Sequence, residues 1–164
     1  MKTKFFLLMG LLVFAGIVWS QNESRQSKAA AKEAKVKKTV ETERYRLILD
    51  QARPMRGNMI PLTSEYTLTI AQDSAISYLP YFGRAYSAPI GSEGGIKFSE
   101  PVLEKKTTFN AKNKSFTVSF KVRAKEDTYR FFVSIWLNGT TTVSVTSNNR
   151  QAIDFSGTIE LPDK

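Results

Sequence analysis

The sequence predicts an all-β protein: a single antiparallel meander that closes as a small barrel or folds as a sandwich, preceded by a signal peptide and a basic flexible linker. Three observations predict it. Beyond residue 39 the apolar residues recur at every second position, the spacing of half-buried strands. The apolar runs are separated by two- or three-residue turn sequences, which join neighbouring antiparallel strands directly. The first 38 residues share neither feature.

Residues 1–20 read as a signal peptide. Lys2 and Lys4 precede an apolar run from Phe5 to Trp19, and Val18-Trp19-Ser20 ends it with a small residue, so cleavage is expected after Ser20. The run is shorter than the ~20 residues of a membrane-spanning helix. The expected address is periplasmic or secreted, without a membrane span.

Residues 21–38 follow as a basic linker. The tract from Ser24 to Lys38 is alanine and lysine with no aromatic residue, and a lone helix of ~15 residues without a packed face is marginal in water. It also explains the charge. Of the formal net +9, residues 1–38 hold eight Lys/Arg and two Glu, so residues 39–164 carry only about +3. The folded part therefore lacks the basic excess of a nucleic-acid-binding domain, and no nucleic-acid partner is expected.

Residues 39–164 form one domain, long enough to bury a core unaided. Without cysteine it has no disulfide. The segment from Thr39 to Met55 is read as a strand on Tyr45, Leu47 and Leu49, broken at Pro54. Tyr66, Leu68 and Ile70 mark the next strand. Phe116, Val118, Phe120 and Val122 alternate with Thr117, Ser119, Lys121 and Arg123, so one face is greasy and the other wet. Tyr129 to Leu137 repeats the pattern, and Ile153, Phe155 and Ile159 end it. Gln72-Asp73, Lys112-Asn113-Lys114, Glu126-Asp127, Asn138-Gly139 and Asn148-Asn149 supply the turns. A long antiparallel sheet must then curl or fold over to bury its apolar face.

Catalytic chemistry has little to draw on. There is no His and no Cys, which removes the Ser-His-Asp and Cys-His arrangements. No metal site, cofactor or catalytic residue is expected. Carboxylates such as Glu65, Asp73, Glu93 and Glu100 leave a glycosidase-like pair open, but no spacing singles out two of them.

The stretch SYLPYFGRAYSAPIGSEGGIKF, Ser77 to Phe98, is the candidate site. Pro80 denies a strand its hydrogen bond, so a strand ends there and a long connection follows, the length at which loops tend to be functional. Tyr81, Arg84, Tyr86 and Glu93 are the candidate ligand-binding residues: rings to stack, hydroxyls to hydrogen-bond and a guanidinium fork. The alternative is a lid in which Tyr78, Leu79 and Phe82 fold back over the open end of the sheet.

The same stretch, with ARPM upstream and EDTYRFFVSI and SNNRQAIDFSG downstream, resembles a family of small exported Bacteroidetes proteins known as domain of unknown function 4251. The resemblance covers roughly residues 44 to 160. It implies a bacterial envelope setting and brings no activity or catalytic residue. Many relatives resemble lipoproteins with a cysteine after the signal, and this chain has none. With that lineage, Asp73-Ser74-Ala75 is similar to a Bacteroidetes O-glycosylation acceptor, which makes Ser74 a candidate modification site at a hairpin tip. The favoured function is a non-catalytic module recognising an envelope glycan, peptide or protein. The alternatives are a carboxylate-based hydrolase of envelope polysaccharide and a small-barrel carrier of an apolar ligand.

Overall fold

The computed structural model of the chain describes residues 25–86, 94–125 and 127–162. The expected signal peptide and Glu93 lie outside the described residues. A helix, α1 (25–41), precedes eight strands: β1 (Arg44–Pro54), β2 (Ile60–Ala71), β3 (Ser74–Leu79), β4 (Ile96–Asn110), β5 (Ser115–Arg123), β6 (Thr128–Trp136), β7 (Thr140–Ser147) and β8 (Ile153–Ile159). Each strand pairs antiparallel with the next and β8 returns to β1, so the meander closes as a barrel and not as a sandwich. Closure leaves no sheet edge unpaired.

The alternation seen in the sequence is the alternation of the wall. Leu47 and Leu49 in β1, Leu68 and Ile70 in β2, Phe116, Val118, Phe120 and Val122 in β5, Tyr129, Phe131, Val133 and Ile135 in β6 and Ile153 and Phe155 in β8 all point inward and are buried. Rings fill much of the interior. Phe120 stacks on Phe131 with centroids 4.9 Å apart, and Phe98 reaches across from β4 to Phe131 at 5.7 Å and Tyr129 at 5.8 Å. The space a carried apolar ligand would need is taken there by side chains.

Two local devices let the sheet close. Against β8 the register of β1 slips between Leu49 and Gln51, leaving Asp50 as the extra residue of a bulge, while at the same step against β2 the partner moves from Tyr66 to Pro61, so there the extra residues lie on β2. Gly157 of β8 faces that bulge, and a methyl there would come within 2.7 Å of Leu49 Cα and nearer still to the Ile48 carbonyl oxygen. In β4 a second slip lies between Leu103 and Lys106, where Glu104 takes a positive φ of 53°.

An up-and-down barrel places alternate connections at opposite ends. The β2–β3, β4–β5 and β6–β7 hairpins share one end with α1. The β1–β2, β3–β4, β5–β6 and β7–β8 connections share the other, called the mouth below.

The basic tract differs from its expected form. Residues 25–41 are helical; Val36, Thr39 and Val40 are buried, Val36 completely, and the two valines belong to the same apolar cluster as the barrel interior. Glu33 forms an ion pair with Lys114 at 3.0 Å, and the Lys37 ammonium lies 5.6 Å from the Phe109 ring centroid. Thr39 to Glu41, read as strand, are the last residues of this helix. The physical reason is that Val36 and Val40 lie four residues apart on one helix face and find a partner surface only once the barrel exists.

Candidate functional site

The candidate site is built at the mouth, where the chain leaves β3. Pro80 has no N–H to continue the ladder, and β3 stops at Leu79, which is fully buried. The following residues do not turn back towards β4. They reach the β7–β8 connection instead, where Ala85 forms an isolated antiparallel bridge with Arg150. The Tyr86 N–H donates to the Asn149 carbonyl at 2.7 Å and the Gln151 N–H to the Arg84 carbonyl at 3.0 Å. Three strand positions separate β3 from β8 around the wall, so this segment spans the mouth.

Tyr81 is the latch of that crossing. Its hydroxyl lies 2.9 Å from the carbonyl oxygens of both Arg84 and Gln151 and divides its one hydrogen between them. Burial pushes the phenol above its ordinary pKa, opposed by the Gln151 hydrogen bond and the Arg150 charge. Gly83 makes room for the ring, because a methyl at 83 would fall 2.7 Å from Tyr81 Cζ. The Arg150 guanidinium lies 5.3 Å from the ring centroid and donates to the Gly95 carbonyl at 2.6 Å, with only 6% of the residue exposed.

The β7–β8 connection on which this crossing lands is held from the β5–β6 side by Asp127. This buried carboxylate accepts backbone N–H bonds from Thr128 at 2.7 Å, Asn149 at 3.2 Å and Asn148 at 3.3 Å. The β7–β8 connection is thus tied from two sides, by a phenolic hydroxyl and by a carboxylate.

Of the residues singled out from sequence, Arg84 and Tyr86 are exposed, Tyr86 at 71%. Tyr81 is not freely exposed as expected: it is half-buried and structural. Phe82, expected to fold back as part of a lid, is 44% exposed, so the two neighbouring rings exchange the roles read for them. Tyr78, read as part of that lid, is also exposed, stacking on Tyr66 at 5.7 Å under the Lys97 ammonium. Ser74 is not at the hairpin tip. It is the first residue of β3, half-buried, and its hydroxyl donates to the Ala71 carbonyl at 3.2 Å, while Gln72 and Asp73 form the turn.

Arg150 and Asp127 were missed by reading for exposed binding groups, since both act from below the surface. Their signal was present as a lone arginine and a lone aspartate in turn segments otherwise made of Asn, Ser and Gln or Lys and Glu. Among the described residues no group of three or more His, Cys, Asp or Glu is placed to hold a metal ion.

The family model described as Domain of unknown function (DUF4251) matches residues 27–159. The chain belongs to this family. The match takes in most of α1, in keeping with a helix that is part of the domain. The chain is also similar to the crystal structure of a DUF4251 family protein from Bacteroides eggerthii, at 19% identity and a TM-score of 0.65, over 83% of this chain and 91% of that one. That likeness supports the shared DUF4251 fold. No curated protein matches the chain.

Proposed function

We propose that the protein is an exported, non-catalytic binding module of a bacterial envelope, whose mouth segment recognises an acidic glycan. The single observation that carries this reading is the fixed crossing from Tyr81 to Tyr86, which leaves Phe82, Arg84 and Tyr86 exposed on a backbone that continues from β3 and is tied to the β7–β8 connection. Exposed rings held in place bind without the entropy cost of ordering a loop. Aromatic faces suit the C–H faces of sugars, and a guanidinium fork pairs with a carboxylate through two parallel bonds. A closed barrel has no edge to accept an added strand, one of the main ways a β-protein takes an extended peptide. Export rests on the apolar leader read in residues 1–20, and the bacterial setting on the similarity to the Bacteroides eggerthii protein.

The carboxylates with defined contacts are already engaged. Glu65 pairs with Arg46, Glu104 with Lys121, Glu43 with Lys105 and Asp127 with backbone N–H groups. No observation favours two of them as an acid and base.

The test is titration with uronate-terminated oligosaccharides beside their neutral counterparts and a set of acidic peptides. The uronates are expected to bind, and Arg84→Ala and Tyr86→Ala to weaken them tenfold or more while leaving stability within ~0.5 kcal/mol, as exposed positions do. Tyr81→Phe is expected to cost about 1 kcal/mol of stability, the worth of its hydrogen bond. Binding of the peptides in place of the glycans, or full affinity in the Arg84 and Tyr86 variants, would overturn the reading.

A further inference from the structure

At the end of the barrel away from the mouth, α1 and the first turn of β1 enclose a groove of about 570 Å³ with the C-terminal residues Leu161 and Pro162. Lys35, Lys38 and Arg44 stand along it, and Tyr45 lines its floor. Arg46 also borders the groove but is taken by Glu65 and Glu160. Among the described residues no carboxylate forms an ion pair with the other three cations. Arg44 donates to the neutral amide oxygen of Gln72 at 3.2 Å.

Tyr45 supplies the second observation. The residue is 6% exposed, yet its hydroxyl makes no hydrogen bond to another described residue. Among the described residues no buried side-chain oxygen or nitrogen lacks a partner, so the Tyr45 hydroxyl is open to solvent, and the groove it lines is where it can donate. Its proton is held firmly, because burial and then the Glu43 charge push the phenol well above its ordinary range. The groove thus combines an apolar floor, a hydroxyl donor and a rim of positive charge, on the scale of small-molecule sites.

We infer that this groove binds a single-chain amphiphile with an anionic head: the chain lies on Leu161, Pro162 and the Tyr45 ring, and the head meets Lys35, Lys38 and Arg44. Both halves of the ligand are needed. Exposed lysines alone attract any anion weakly, and the apolar floor alone takes any chain. The site is independent of the mouth, and it requires α1 to be docked.

The probe is dodecyl phosphate below its micelle threshold, titrated into the protein by calorimetry with amide shifts followed at Tyr45 and Leu161, beside dodecyl maltoside and inorganic phosphate. Dodecyl phosphate is expected to bind and shift both amides, with each comparator at least tenfold weaker. Lys35→Glu/Lys38→Glu, two exposed changes that leave the fold in place, are expected to weaken it tenfold or more. Equal binding of the maltoside or of phosphate alone, absence of shifts at Tyr45 and Leu161, or undiminished affinity in the double variant would each overturn the inference.

Discussion

Gly157→Ala is expected to cost about 3 kcal/mol or more, or to prevent the barrel from closing. The methyl would be driven into the Ile48 carbonyl and to 2.7 Å from Leu49 Cα, both backbone atoms of β1 at its bulge. A flexible side chain can swing aside from such an intrusion, but a paired strand moves only by losing its ladder, and here that ladder is the β1–β8 seam. Overpacking a sound core commonly costs ~1 to 3 kcal/mol, and a clash with backbone lies at or beyond the upper end. Total stabilities of domains are ~5 to 15 kcal/mol, so the loss is a large share. Denaturant unfolding measures it. A midpoint unchanged from the parent would show that β1 does not pass this close to β8.

Removing α1, with a chain that starts at Thr42, is expected to lower the unfolding temperature by roughly 10 °C. Val36 and Val40 are buried in the core cluster, and burying a valine is worth ~1.5 kcal/mol or more, so their loss totals about 3 kcal/mol before the barrel surface they cover is counted. For a domain of this size each kcal/mol moves the midpoint by ~2 to 8 °C. This reverses the expectation raised by the tract's composition, under which the segment would be dispensable. Val36→Asp in the full chain gives the same test without truncation, since it buries a charge where no partner stands. Unaltered melting of both forms would mean that the helix rests on the barrel without contributing to it.

The strands with strict alternation were legible because one face of each is core and the other is water. Phe116 to Val122 and Tyr129 to Ile135 carry that contrast at every position. β4 carries it poorly. Glu104, Lys105 and Lys106 sit at its bulge, and the residues from there to Asn110 are mostly exposed on both faces, so its apolar residues fall out of step. α1 was illegible for another reason. Two valines among alanines and lysines do not make a helix stable alone, and the surface that stabilises this one is assembled from hairpins far along the chain.

The mouth segment was legible as a long connection from Pro80 onward. Which ring faces inward was not readable locally. Tyr81 and Phe82 are adjacent and both bulky, and the choice is made by Gln151 and Arg150, about 70 residues later, which offer a carbonyl oxygen and a cation to a phenol. Phenylalanine has no hydroxyl for that carbonyl and is left on the outer side.

The central claim is that this segment is fixed before any ligand arrives, so that its exposed rings and arginine form a ready surface. Amide hydrogen exchange in the free protein tests it most directly, at the Tyr86 N–H bonded to Asn149 and the Gln151 N–H bonded to Arg84. Both are expected to exchange as slowly as the amides of the β7–β8 ladder, and both to speed up together in Tyr81→Phe. Exchange of either amide at the rate of an open loop in the parent protein would contradict a preformed site at the mouth.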